Sequence, residues 1–171
     1  MSKLLVSYLS LNEPPAERLA AAGSRGLYVA RCTIGVDDYL ALYRKVGGPW
    51  GWDQRLRMPR HLLAAFLAGP DCEIFCLQAA GFEDHIIGFC EFDCSSQPKI
   101  QLTNFGLIPG AIGRGAGPYL LNVALRTVWH QRQLQRIWLH TDTNDHPKAR
   151  ETYLRAGFAV DCERWQDATE L

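Results

Sequence analysis

Apolar and polar positions along this chain follow two periods, and the elements change where the period changes. Leu4 to Leu11 alternates as a strand does and is stopped by Asn12-Glu13-Pro14-Pro15. Ala16 to Gly26, rich in alanine and glycine, predicts a mobile connection, and Leu27 to Thr33 reads as a second strand with the first as its expected partner. Asp37 to Val46 sets Leu40, Tyr43 and Val46 on one side, a short helix ended by Gly47-Gly48-Pro49. Pro59 to Leu67, with Leu62, Leu63, Phe66 and Leu67 on its buried side, predicts another, ended by Gly69-Pro70. Cys72 to Gln78 and His85 to Asp93 are apolar runs separated by Ala79 to Asp84, the pattern of an antiparallel hairpin. Counting by twos puts Phe89, Glu91 and Asp93 on one face and Cys90, Phe92 and Cys94 on the other.

The second half changes character. Lys99 to Ile108 is a further strand that runs past Pro109 into the turn Gly113-Arg114-Gly115-Ala116-Gly117. From Pro118 the stripe Leu120, Leu121, Ala124, Leu125 and Val128 marks a long helix reaching about Gln131. Arg136 to Thr141 is a compact strand placed as the parallel crossover partner of the strand before the turn. Asp145-His146-Pro147 opens a short helix with Ala149, Tyr153 and Ala156 on one face, Gly157 ends it, and Phe158 starts a last strand before a frayed tail from Asp167 to Leu171. The class is α/β in the α+β sense, and 171 residues fit one domain, 1–171.

Composition narrows the function classes. Hydrophobic residues make up 47% of the chain, yet no apolar run approaches the roughly 20 residues of a membrane helix. No basic-then-apolar leader is visible, so a cytoplasmic address is expected and no membrane partner. The 18 basic and 18 acidic residues cancel, leaving no global field to hold nucleic acid. From Gly113 to Arg155, however, seven Lys or Arg stand against three acids, a local excess that suits a polyphosphate ligand as well as solvated helix faces. Six cysteines include two pairs four residues apart, but these lie in strand-like apolar runs, so no metal is expected and the thiols read as small buried hydrophobes kept reduced.

The glycine turn is the sharpest chemical signal. A helix start leaves about four N–H groups unpaired and carries roughly half a positive charge, and glycines remove the Cβ atoms that would keep an anion away. Arg114 can add a side-chain fork to the same anion, and Pro118 sits where a missing N–H costs nothing. No Lys-Ser/Thr follows, which excludes a nucleoside-triphosphate loop, and Pro118 and Leu120 stand where a dinucleotide fingerprint requires glycine.

Pro109, Gly113 to Gly117 and Leu120-Leu121 resemble the coenzyme A pyrophosphate loop of the GNAT N-acetyltransferase superfamily, with Ile112 where that pattern has Gln or Arg. Ala149-x-x-x-Tyr153-x-x-x-Gly157-Phe158 resembles its second signature, with His146 at the usual Asn and Asn144 two residues earlier as its replacement. The resemblance implies the GNAT fold: a mixed, mostly antiparallel sheet of six or seven strands with a central splayed parallel pair, flanked by about four helices. It implies acetyl-CoA as co-substrate, a primary amine of a small molecule or exposed peptide as acceptor, direct attack in a ternary complex, and a homodimer as the assembly to expect. Carried onto this chain, it assigns cofactor binding to Leu107, Ile108, Gly113, Arg114, Gly115, Ala116, Gly117, Pro118, Asn144 and Tyr153. Tyr153 is the expected acid and Glu91 the expected base, acting directly or through water, while Trp50, Trp52, Asn104 and His140 are expected around the acceptor. The rival reading is an inactive acyl-CoA-binding module that serves as a sensor or docking domain.

Overall fold

Seven strands form one sheet: five have buried positions to satisfy, and the two edge strands, which have none, complete the hydrogen-bond ladder. A computed structural model of the chain describes residues 3–17, 26–81 and 85–167. The strands are β1 (Lys3–Leu11), β2 (Leu27–Arg31), β3 (Cys72–Ala79), β4 (Ile86–Asp93), β5 (Lys99–Leu107), β6 (Arg136–Asp142) and β7 (Ala159–Asp167). Their order across the sheet is β2-β3-β4-β5-β6-β1-β7, antiparallel throughout except for β5 and β6. The helices are α1 (Val36–Gly47), α2 (Gln54–Arg57), α3 (Arg60–Ala68), α4 (Ala116–Arg132) and α5 (Ala149–Arg155). The expected fold class, a mixed sheet with a central parallel pair, is what the chain adopts.

The ends of α1 agree with their charges. Asp37 and Asp38 open α1 while Arg44 and Lys45 close it, each sign placed where the helix dipole favours it. In α4 the predicted stripe Leu120, Leu121, Ala124, Leu125 and Val128 is fully buried. The two faces of the sheet are distinguished at β5. A Cβ on Gly106 would lie 2.5 Å from Val46 of α1, whereas one on Gly117 of α4 would touch Phe105 and Leu107. Since neighbouring strand residues point to opposite faces, α1 and α4 sandwich the sheet between them.

The parallel pair holds for only three registers, Lys99 with Arg136, Ile100 with Ile137 and Gln101 with Trp138. Directly beyond, the β4–β5 register slips between Glu91 and Phe92, leaving Thr103 as the extra residue on β5. A bulge bends its strand. Past it β5 stays with β4, β6 stays with β1, and a gap opens through the sheet.

Four expectations need correction. β2 pairs with β3 at one edge, and β1 lies at the other side between β6 and β7, so the first two strands never meet. β1 is mostly buried between β6 and β7, whereas β2 has no fully buried residue and covers the edge of β3, so nearness in sequence decides neither pairing. The short helix near Pro147 begins later, with Lys148 at its cap and Ala149 as its first residue. Asp167 belongs to β7, and the remainder of the expected tail, with most of Ala16 to Gly26, lies outside the described residues. Finally, Cys32 and Cys76 form a disulfide, against the expectation that all six thiols are reduced. Register explains it: Arg31 faces Phe75, so Cys32 follows beside Ile74 and diagonal to Cys76, with Cα atoms 6.2 Å apart. Among the described residues no helix is long and apolar enough to cross a membrane.

Candidate active site

A cavity of about 560 Å³ opens beside the end of β5, beyond the point where β5 and β6 part, and is lined from the α1 side by Val46, Trp50 and Trp52 and from the other by the glycine turn and α5. Its wall includes Leu107, Gly113, Gly115, Gly117, Pro118 and Tyr153 from the expected cofactor set, and Trp50 and Trp52 from the expected acceptor set. The splay of two strands thus brings together residues that lie a hundred positions apart.

At the glycine turn, Gly113 and Gly115 have φ of +82° and +76°, a left-handed backbone that L side chains rarely adopt. Space is open where a Cβ on either would stand. Gly115 is the N-cap of α4 and no side chain caps that terminus, so the first-turn donors are available to an outside acceptor. Ile112 contributes an apolar patch to the same wall. A polyphosphate with an apolar arm fits this donor set. Ile108, Arg114, Ala116 and Asn144 are outside the cavity lining; Ala116 is buried, Arg114 and Asn144 face solvent. The Ile108 N–H is committed to the Ile87 carbonyl at 2.9 Å. Strand alternation turns the Leu107 N–H the other way, toward the gap.

Tyr153, on α5, is buried between Phe105 and Phe158, with ring centroids 5.8 and 6.0 Å away. Burial first, then the charges of Asp145 and Cys90, push its phenol well above the usual tyrosine value, so it is a neutral donor at pH 7. No buried side-chain polar atom among the described residues lacks a partner, and the Tyr153 hydroxyl makes no hydrogen bond to the protein, so that oxygen opens onto the cavity.

The two tryptophans come from the glycine-rich segment after α1. The Trp52 indole N–H donates to Asp145 Oδ1 at 3.2 Å and its ring packs on Tyr43. Gly47 permits this, since a Cβ there would stand 2.2 Å from the Trp52 ring. Trp50 meets the His146 ring edge-on at 4.9 Å.

Glu91, Asn104 and His140 lie elsewhere. Glu91 is fully buried on the α1 face and absent from the cavity wall. Its carboxylate accepts from Arg55 Nε and Nη2 at 3.2 and 2.5 Å, Thr103 Oγ1 at 2.6 Å, Asn104 Nδ2 at 2.9 Å and the Tyr39 hydroxyl. Four of these bonds converge on Oε1 and the Tyr39 hydroxyl alone reaches Oε2, so the carboxylate is held by protein groups on both oxygens. Asn104 therefore serves Glu91, and Arg55, stacked 4.6 Å over Phe66, keeps the charge of Glu91 neutralised. His140 alternates onto the opposite side of β6, where its ring lies 6.0 Å from Tyr8. Burial lowers its pKa.

The sequence reading missed Asp145, Lys148, Thr152 and Arg155 on the cavity wall. Lys148, Thr152 and Arg155 follow helical spacing with Tyr153 around α5, a signal that was legible. Among the described residues no group of three His, Cys, Asp or Glu side chains is placed to hold a metal ion.

A sequence model of the acetyltransferase (GNAT) family matches residues 37–158. No curated protein matches the chain. Among solved structures, the chain is similar to a functionally unknown conserved protein from Staphylococcus epidermidis ATCC 12228, with a TM-score of 0.64 at 15% identity over 96% of this chain and 60% of the other. It is similar to a GCN5-related N-acetyltransferase from Sphaerobacter thermophilus, TM-score 0.67 at 20% identity over 95% of this chain and 50% of that one. An aminoglycoside acetyltransferase from an uncultured soil metagenomic sample, in complex with trehalose, gives 0.61 at 14% identity over 77% and 88%. The chain spans 60% and 50% of the first two proteins' lengths, and likeness at such identities concerns the fold alone.

Proposed function

Because the chain belongs to the GNAT acetyltransferase family, we propose that it transfers the acetyl group of acetyl-CoA to a primary amine of a small molecule or exposed peptide, both substrates being held at once. One observation supports this reading: an uncapped helix N-terminus, a buried tyrosine and an indole wall lie on a single cavity beside the end of β5. Bound acetyl-CoA supplies an activated acyl group as a thioester. The chain supplies the rest.

Gly113, Gly115 and Gly117 hold the pyrophosphate with the first-turn N–H groups of α4, and Leu107 and Ile112 line the apolar arm. The Leu107 N–H donates to the carbonyl oxygen on which negative charge develops. Trp50 and Trp52 wall the acceptor from the α1 face. Tyr153 donates its phenolic hydrogen bond to the departing sulfur, and its raised pKa keeps that proton in place until the sulfur demands it.

Tyr153→Phe lowers kcat by roughly 10- to 1,000-fold with little change in acetyl-CoA affinity. Thiol release with a panel of polyamines, aminoglycosides and peptides, beside acetyl-CoA calorimetry, reads the two quantities. Unchanged turnover overturns the role of Tyr153, and no heat at millimolar acetyl-CoA overturns the activity. A second reading, an acyl-CoA-binding module without turnover, draws on Ile112 and His146 standing where the family pattern has other residues. Acetyl-CoA binding without thiol release from any amine of the panel favours it.

A further inference from the structure

With Glu91 enclosed by Arg55, the cavity holds two carboxylates of its own, Asp145 and Glu151. Glu151 is neutralised by Arg155 one turn along α5. Asp145 is different. Its Oδ1 accepts from the Trp52 indole, and its Oδ2 from the Thr141 hydroxyl at 2.6 Å and, at 3.4 Å, from the Asp142 N–H. All three donors are neutral, and no ion pair reaches Asp145 among the described residues. A carboxylate offers about four acceptor positions, so at least one remains open.

Its place in the fold gives that vacancy a direction. Thr141, from β6, and Trp52, from the α1 face, fix the side chain from two sides, half-buried at the gap itself. Trp50 and Trp52 flank the α1 side of the same cavity, and Tyr153 stands on the α4 side, within electrostatic reach of Asp145. Two indole rings beside a carboxylate with no ion pair form a receptor for an organic cation, since the carboxylate attracts the charge and the rings keep water from its apolar part.

We propose that Asp145 receives the acceptor as an ammonium ion, making the substrate class a cationic alkylamine, and that Asp145 takes the proton which must leave before attack. This rests on the acetyltransferase reading. In the step, one N–H bond of the ammonium breaks and an O–H bond forms on the Asp145 carboxylate. The electron pair stays on nitrogen, and the acid returns its proton to water. Asp145 thereby fills the place that sequence reasoning gave to Glu91.

The test compares n-butylammonium with its neutral isostere n-butanol on acetyl-CoA-saturated protein, read from the Trp50 and Trp52 indole N–H resonances. Hydrogen bonds to a charged partner correspond to roughly a 10- to 100-fold preference for the cation in the wild type. Asp145→Asn, whose amide oxygen still accepts from Trp52, abolishes the preference and leaves acetyl-CoA affinity unchanged. Glu151→Gln keeps the preference. Equal binding of the two probes by the wild type overturns the proposal, as does a preference that survives Asp145→Asn or is lost only in Glu151→Gln. Failure of acetyl-CoA itself to bind overturns the underlying activity instead, a result distinct from all of these.

Discussion

Replacing Arg55 by methionine decides whether Glu91 is a structural charge or a reactive one. Methionine keeps the apolar stem over Phe66 but leaves a fully buried carboxylate facing only Tyr39, Thr103 and Asn104. Breaking a buried ion pair from one side costs about 3 to 5 kcal/mol, and three surviving neutral donors put this case near 3. In a protein of this size that lowers the melting temperature by about 6 to 12 °C. Urea unfolding followed by tryptophan fluorescence measures the loss. Adding Glu91→Gln to Arg55→Met removes the orphaned charge and recovers at least half of it, the signature of coupling in a double-mutant cycle. Glu91→Gln alone is destabilised yet keeps turnover within a few-fold where it remains folded. The reasoning is refuted if Arg55→Met costs less than about 1 kcal/mol. It is equally refuted if Glu91→Gln is fully stable and loses more than about 100-fold in turnover, as the loss of a general base would require.

Other outcomes follow from single contacts. Gly47→Ala drives a methyl group into the Trp52 ring and costs about 1 to 3 kcal/mol while breaking the indole bond to Asp145; unchanged near-ultraviolet circular dichroism would contradict it. His140 is held neutral by burial, with its folded pKa below the unfolded value near 6.5. Its contribution to stability is therefore present above pH 6.5 and lost as pH falls through the folded value, so His140→Gln flattens the decline of stability between about pH 7 and 5. An identical slope in the variant rules this out. Burial pushes the Cys94 and Cys72 thiols up to about 11 and about 12, so at pH 8 iodoacetamide labels half-exposed Cys162 before either. Mass spectrometry of the labelled peptides gives the order, and early labelling of Cys72 or Cys94 would refute it.

Local pattern carried the strands and helices because each announces itself within ten residues. Lys99–Leu107, the glycine turn and Ala116–Arg132 form one continuous signal, and the spacing of Ala149, Tyr153 and Ala156 marks the face of α5 that lines the cavity. What the sequence hid depends on partners far along the chain. Glu91 was correctly marked as unusual, but its fate is decided by Arg55, whose four-residue helix α2 reads as loop. His140 and Thr141 are neighbours on β6, and only the sheet reveals that Thr141 turns toward Asp145 while His140 turns toward Tyr8. Asp145 looked like a helix cap, yet α5 begins four residues later and frees the carboxylate for the cavity. The Cys32–Cys76 bond follows from a register no local rule supplies.

The placement of β1 has a consequence for how the molecule comes together. Val6 lies opposite Asp142 and Leu5 opposite Trp165, so this segment must wait for partners that follow these residues by more than 130 positions in the chain. Such distant pairing raises contact order and slows folding, and until β6 emerges the apolar side of this segment has nothing to lie against. Any delay of β6 or β7 therefore leaves an interior ribbon of the sheet open along an edge, a place where a foreign strand could add itself in their stead.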